Sequence, residues 1–318
     1  MNNLKKIGLT ALAGSLVATS VAYSGELAVS GSASMNFKNY SDSSTGKAVR
    51  MGNSVFFKGS GETDGGLNVN LSFELDQGTP AGDGPFDSHF VSVGNDTLGT
   101  LTVHGHGGSN SAAALDTTAA GDLWDNTLIN TTATASTRMA PLASKSGDNL
   151  MVYSLPTLVD GLAVAGSYQA ANTTGSGSTA FGATYSGIEG LSLSYGQGSS
   201  DDIKDKAGDQ TIMKASYAYG PITVAASNND FDHTTSTIDQ EVSSVSLSYT
   251  VSDQISVSYG EETIDRSGSA SDIEVTGVSI SYTSGGMTAS FAQVEAENVD
   301  HTAGLDKEVW NIGLSFAF

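Results

Sequence analysis

The chain contains no cysteine, and positive charge is scarce: 13 Lys and Arg stand against 34 Asp and Glu, a formal charge of -21. Without cysteine, a disulfide framework and thiol chemistry are both excluded. Nucleic acid is excluded as a partner class, because phosphate binding needs clustered Lys and Arg. Histidine is also rare, with five in 318 residues, and no serine sits in an elbow-type motif. A hydrolase would need a nucleophile or an acid pair beside a positioned His, so no enzyme is predicted. Beyond residue 22 no apolar run is long enough to cross a bilayer as a helix. That absence leaves room for a membrane barrel, in which only alternate residues face lipid.

What is present begins with an export signal. Lys5 and Lys6 form a positive n-region, and Ile7 to Val21 is apolar and uncharged. Ser20-Val21-Ala22 offers small residues for cleavage, with Ala22-Tyr23-Ser24 as a second candidate. The run is too short for a membrane anchor, and no stop-transfer flank follows it. Residues 1–22 are read as a signal peptide and 23–318 as one domain. Removing the signal leaves 11 basic and 34 acidic groups, a net charge of -23 over 296 residues.

The rest of the chain alternates with period two. Leu191, Leu193 and Tyr195 alternate with serines, as do Val245, Leu247 and Tyr249, then Ile255, Val257 and Tyr259, then Val278, Ile280 and Tyr282. This is the pattern of a sheet with one apolar and one polar face, and it predicts an all-β chain. Short turns at 63–66, 95–97, 156–161, 186–190, 220–221, 252–254 and 284–286 alternate with longer polar stretches. The longer ones are 39–48, 77–86, 107–147, 172–177, 200–208, 230–240, 265–271 and 297–306. Short turns at one end and long loops at the other are the habit of outer-membrane barrels. The count predicts a 16-stranded antiparallel transmembrane β-barrel with both termini at the periplasmic end. Tyr185, Tyr217, Tyr219, Tyr249 and Tyr282 recur where strands enter the short turns, as an interfacial girdle would. The last strand, Val309 to Phe318, is amphipathic to its final residue and is predicted to pair with residues 26–37 and close the barrel.

Four short segments, in order along the chain, now carry a family resemblance. Gly25-Glu26-Leu27-Ala28-Val29-Ser30-Gly31, Phe57-Lys58-Gly59 followed by Glu62, Leu98-Gly99-Thr100-Leu101-Thr102-Val103, and Gly313-Leu314-Ser315-Phe316-Ala317-Phe318 are each weak alone. Together they resemble the general diffusion porins of Gram-negative bacteria, of the alphaproteobacterial type. The resemblance implies a homotrimer in the outer membrane, contact with lipid and lipopolysaccharide, and a third loop folded inward to narrow the pore. It also implies that Phe318 serves as a signal to the barrel-assembly machinery.

Residues 107–147 fall where that constriction loop belongs, and Asp116, Asp122 and Asp125 are its candidate acidic side. The family opposes such acids with a cluster of arginines. Here only Arg50, Arg138 and Arg266 remain after the signal, while positions near which the family carries arginine hold Asp87, Gly105 and Leu150. Arg50, Lys58 and Lys214, with His104 and His106, are the candidate basic or polar wall, and His89 shares their predicted lumen parity. Inward positions are otherwise largely Ser, Thr, Asn, Gly and Ala, with Glu74 and Asp76 adding negative charge near the outer end.

The expected function is passive diffusion of small hydrophilic solutes and ions, with a preference for cations set by fixed charge. The alternatives are a non-conducting structural or adhesive barrel and a substrate-selective porin. No cofactor is expected, although the acidic stretches around Asp201, Asp202, Asp205, Asp209, Asp230 and Asp232 could share Ca²⁺ through carboxylate oxygens. His104 and His106 lie two apart, as a metal pair would, but the sequence places no third ligand.

Overall fold

The computed structural model describes residues 25–41, 47–76, 86–125, 147–171, 177–201, 207–234 and 238–318. The signal peptide, Arg138, Asp202 and Asp205 fall outside them. Sixteen strands form one closed antiparallel barrel in sequence order, with β1 and β16 as neighbours. The first four are β1 (Glu26–Tyr40), β2 (Lys47–Glu62), β3 (Asn68–Asp76) and β4 (Ser88–Asn95). They are followed by β5 (Gly99–His106), β6 (Leu150–Ser154), β7 (Leu162–Gln169) and β8 (Ser178–Ile188). Next come β9 (Leu191–Asp201), β10 (Ala207–Tyr219), β11 (Ile222–His233) and β12 (Gln240–Ser252). The set ends with β13 (Ile255–Arg266), β14 (Ile273–Ser284), β15 (Met287–Glu297) and β16 (Lys307–Ala317).

Closure satisfies the backbone. Inside a bilayer no water is available to an edge strand, so each N–H and C=O needs a partner on a neighbouring strand. β1 supplies the seam by pairing with β2 on one side and β16 on the other. The last residue completes it. Phe318 donates its N–H to the Gly31 carbonyl at 3.0 Å and accepts the Gly31 N–H at 2.8 Å. A Cβ on Gly31 would lie 2.8 Å from the Phe318 ring, so glycine leaves room for the terminal aromatic.

The strands reach 16 residues, longer than a membrane crossing needs, because pairing continues beyond the lipid band. Polarity inverts along the second half of the barrel. On β13, Ile255, Val257 and Tyr259 point outward, but so do Glu261 and Asp265, while Glu262 and Ile264 point inward. On β14, Val278 and Ile280 face out below Thr276 and Glu274, whereas Val275 and Ile273 face in. β15 switches after Phe291 and β16 after Trp310. The membrane-facing wall is therefore apolar outside and polar inside, and the extension above it is the reverse.

That extension encloses a hydrophobic core within the barrel. Val242, Ile264, Ile273, Val275, Val294, Val299 and Val309 are at most 2% exposed and pack with Tyr40 and Ala296. The expectation of a small polar lumen holds below this level, where Ser256–Ser281 and Ser258–Ser279 bond across the wall at 2.8 and 2.7 Å. It fails above it. A helical-turn segment at Val299–His301, between β15 and β16, dips inward and lodges Val299 in the core.

Candidate functional site

Leu123 and Trp124, from the long connection after β5, pack against the inner core. The described part of this connection begins at a bridge between Gly108 and Gly147, which exchange backbone hydrogen bonds at 3.1 and 2.9 Å. From there the chain crosses the interior over β7 to β14. The Ser111 N–H donates to Ser167 Oγ at 2.9 Å, and Asn110 Oδ1 accepts from the N–H groups of Ala112 and Ala113. Ala112 is fully buried.

Six wall residues then hold the loop. Among them, Asn229 donates its side-chain amide to the Asp116 carbonyl, and Ser246 donates its hydroxyl to the Ala119 carbonyl at 2.7 Å. Lys214, Ser227, Ser244 and Glu262 are consecutive cross-strand partners on β10 to β13, forming one row around the inner wall. Lys214 Nζ donates to the Thr117 carbonyl at 2.6 Å. Ser227 Oγ accepts the Ala119 N–H at 2.8 Å, and Ser244 Oγ accepts the Ala120 N–H at 2.9 Å. Glu262, 2% exposed, accepts the Thr118 hydroxyl and the N–H groups of Leu123 and Trp124, the latter two at 3.0 Å. Charged acceptors make hydrogen bonds roughly twice as strong as neutral ones. Glu262 is thus the strongest single tether on the loop.

Glycines shape the bed beneath. A Cβ on Gly182 would meet the Ser111 carbonyl oxygen at 2.2 Å, one on Gly260 would meet Ala120 Cβ at 2.6 Å, and one on Gly277 would meet a Leu123 methyl at 2.6 Å. Each is an inward position on a strand otherwise able to carry a side chain, so the loop lies in contact with the wall itself. Gly277→Val is expected to displace Leu123 and cost about 1–3 kcal/mol by overpacking, read as a lower thermal midpoint of the folded barrel in detergent.

The candidate acids have different duties. Asp122 has a left-handed φ of 55° and is locked to Thr118, taking its N–H at 2.9 Å and giving its own N–H to Thr118 Oγ1 at 2.8 Å. Asp116 follows the short helical turn Ala113–Leu115. Burial, and then the neighbouring Asp122, raise the Asp116 carboxyl to about 6, against the pull of Lys214. Asp125 closes the helical turn Leu123–Asp125, and its side chain lies outside the described residues.

The candidate wall residues divide similarly. Arg50 and Lys58 face inward on β2, opposite Asn36 and Ala28, with Lys58 Nζ 5.3 Å from the Phe56 ring centroid. Lys214 is a tether to the loop. The histidines depart from their predicted arrangement, because the β4–β5 register shifts at His89/Phe90 and leaves Gly105 as an extra residue. His104 pairs with inward Phe90, whereas His106 pairs with His89, which itself pairs with outward Phe73. A bulge inverts the alternation on one side of it, so His104 and His106 occupy opposite faces and His89 does not line the lumen. His106 instead meets Asp148 at 2.8 Å.

The acids considered for Ca²⁺ also face outward: Asp209 lies opposite Asp232, and Asp230 opposite Glu241. Among the described residues, the carboxylates that converge within 4.8 Å are Glu74, Asp76 and Asp87 at the outer end of β3.

A closed barrel with a loop tied across its lumen fits a diffusion pore, and the family comparison agrees: the sequence pattern of the Gram-negative porins matches residues 8–302. The chain belongs to the Gram-negative porin family. Solved porins share the fold. An anion-selective porin from Comamonas acidovorans superposes with a TM-score of 0.69 at 14% identity, covering 92% of this chain and all of that one. A triple mutant of the Rhodopseudomonas blastica porin gives 0.65 at 15% identity, with the same coverage of both chains. A porin refined at 1.8 Å resolution gives 0.65 at 18%, again with that coverage. No curated protein sequence matches significantly. The porin is thus an outer-membrane diffusion channel, a class that works without a cofactor.

Six tethers escaped the sequence reading: Ser167, Ser227, Asn229, Ser244, Ser246 and Glu262. The serines and Asn229 look like any inward polar residue. Glu262 did carry a signal, as an acid on inward parity between Gly260 and Ile264.

Proposed function

We propose that this porin is a cation-preferring pore for small hydrophilic solutes, whose narrowest section is formed by the long connection 107–147, of which residues 126–146 lie outside the described residues. The observation that carries the reading is the row Lys214–Ser227–Ser244–Glu262, which ties Thr117 to Trp124 across the interior. Fixed charge sets the entry barrier in such a pore. The external approach is acidic, with Glu74 and Asp76 facing inward on β3 and carboxylates outward along β9 to β16. Lys38, Arg50 and Lys58 on the inner wall of β1 and β2 oppose this preference without matching its charge. The Comamonas acidovorans porin of the same fold is anion-selective, so the fold does not impose a cation preference and the reading rests on the charges of this chain.

Planar-bilayer recordings of refolded porin in a KCl gradient test the reading. A reversal potential of the cation-selective sign is expected at pH 7.5. Protonation of Asp116, centred near pH 6, removes a negative charge from the loop, so selectivity should weaken at pH 5. Asp116→Asn should show the weaker selectivity at both pH values. An anion-selective reversal potential, or no conductance, would overturn the proposal.

The same reading includes a homotrimer. The outward face of β1 to β6 stays apolar toward the outer strand ends, with Val49 78% and Met51 60% exposed, whereas β9 to β16 turn acidic there. A second copy covers such a wall better than lipid headgroups do. Val49→Asp is expected to shift cross-linked or native-gel species from trimer to monomer. Residues 1–22 are the proposed export signal, with N-terminal sequencing of the exported protein as the check. Lipopolysaccharide and the barrel-assembly machinery, reading Phe318, complete the proposed partners.

A further inference from the structure

The described part of the long connection lies over β7 to β14, so β2 to β5 face it across the lumen. Inward positions on those strands are mostly small and polar, among them Ser54, Ser60, Ser92, Thr100 and Thr102. Two phenylalanines interrupt them. Phe56 lies opposite Glu74, and Phe90 belongs to the row one step deeper, Lys58–Ser72–Phe90–His104. Both rings are half-buried, so part of each meets the lumen. Phe90 packs on His104 with ring centroids 5.5 Å apart. A Cβ on Gly108 would lie 2.6 Å from His104 Cγ, so this aromatic bed sits where the loop leaves the wall. Apolar surface left open to a wet pore gains when a solute covers it.

Opposite charges flank the rings without meeting. Lys58 and Glu74 are diagonal neighbours on β2 and β3, a spacing that long side chains can bridge, yet they form no ion pair. Lys58 Nζ instead stands 5.3 Å from the Phe56 ring centroid, and Glu74 Oε2 accepts the Ser88 hydroxyl at 2.8 Å. The wall thus offers a carboxylate toward the outside, an ammonium one row deeper, and aromatic faces beside both. We infer that it is a transient subsite for zwitterionic solutes that carry an aromatic ring, the class of the aromatic α-amino acids. The solute's ammonium brings three donors to Glu74, its carboxylate meets Lys58, and its ring lies on Phe56 and Phe90. Asp76 and Asp87 converge with Glu74 within 4.8 Å and keep that pole negative, so a solute entering from outside leads with its ammonium. A singly charged solute leaves one pole unpaired, and a neutral sugar meets neither. The inference deepens the diffusion-pore reading and rests on it.

Planar-bilayer recording of the refolded full chain in KCl, with a solute added to one side, tests it. L-phenylalanine is expected to interrupt the current at a half-blocking concentration roughly tenfold below those of phenylacetate and phenethylamine, the scale of one charge-assisted contact. Each of those two lacks one pole. L-alanine keeps both poles but has no ring, and it should block as weakly as they do. Glu74→Gln should remove most of the difference between phenylalanine and phenylacetate, and Lys58→Gln most of that between phenylalanine and phenethylamine. Phe90→Leu keeps the apolar volume, so it is the mildest variant for folding; it should weaken the block by phenylalanine and leave alanine unchanged. Equal half-blocking concentrations for the four solutes in the wild type would overturn the inference while leaving the pore in place. So would differences that survive both charge variants. A chain that passes no KCl current would overturn the diffusion reading, and the inference with it.

Discussion

Replacing Glu262 with alanine is expected to loosen the constriction while leaving the barrel standing. The change removes the acceptor for the Thr118 hydroxyl and for the Leu123 and Trp124 N–H groups. A donor stranded in a buried site costs about 1–3 kcal/mol, so the segment will leave the wall to find water. Conductance should rise, open-channel noise should increase, and larger sugars should enter faster in a liposome-swelling assay. The thermal midpoint of the barrel should move little, because its strand ladder is intact and a loop can open locally. Glu262→Gln retains one acceptor oxygen but loses the charge, so it should fall between. Wild-type noise and swelling rates in Glu262→Ala would show that the remaining wall contacts, from Ser167, Lys214, Ser227, Asn229, Ser244 and Ser246, suffice to hold the loop.

The second large effect separates adjacent outward and inward positions on one strand. Val275→Asp places a carboxyl at a site with no measurable exposure, among Ile264, Ile273 and Val294. Burial of an unpartnered acid at such a position should cost about 4 kcal/mol or more. Little folded, heat-modifiable barrel should be recovered. Glu274→Val, one residue away, points outward opposite Glu297 and removes a like-charge contact, so folding yield should hold or improve. Val278→Asp faces outward on the lipid side of the inversion. A charge near the membrane boundary costs only about 1 kcal/mol, so this variant should fold with a modest loss. If Val275→Asp folds as well as Val278→Asp, the inner core is not a stabilising element of this porin.

Both expectations depend on a point that alternation by itself leaves open. In β13 the run Ile255, Val257, Tyr259 reads correctly as one face, and the following Glu261, Glu262, Thr263, Ile264 lie ahead of the long stretch at 265–271 without showing a change of face. The strand in fact continues, and its apolar face changes sides. Period two reports which residues share a face, but not which side of that face water is on. The same limit misplaced His89 and His106, because one extra residue at Gly105 inverts parity without any change in composition.

The sequence by itself determined that this chain is a barrel, how its hairpins are ordered, and that β16 must meet β1. Those properties follow from local alternation and from turn residues, which act between neighbours in the chain. Family membership was legible for a related reason, since its motifs lie within single strands. Only the tertiary structure decided what the interior contains. Glu262 meets Thr118 across 144 positions of sequence, and Gly182, Gly260 and Gly277 matter because of what presses on them from a distant loop. Contacts of that range are set by closure of the barrel and by its shear, which place Lys214, Ser227, Ser244 and Glu262 in one row only once every strand is in register.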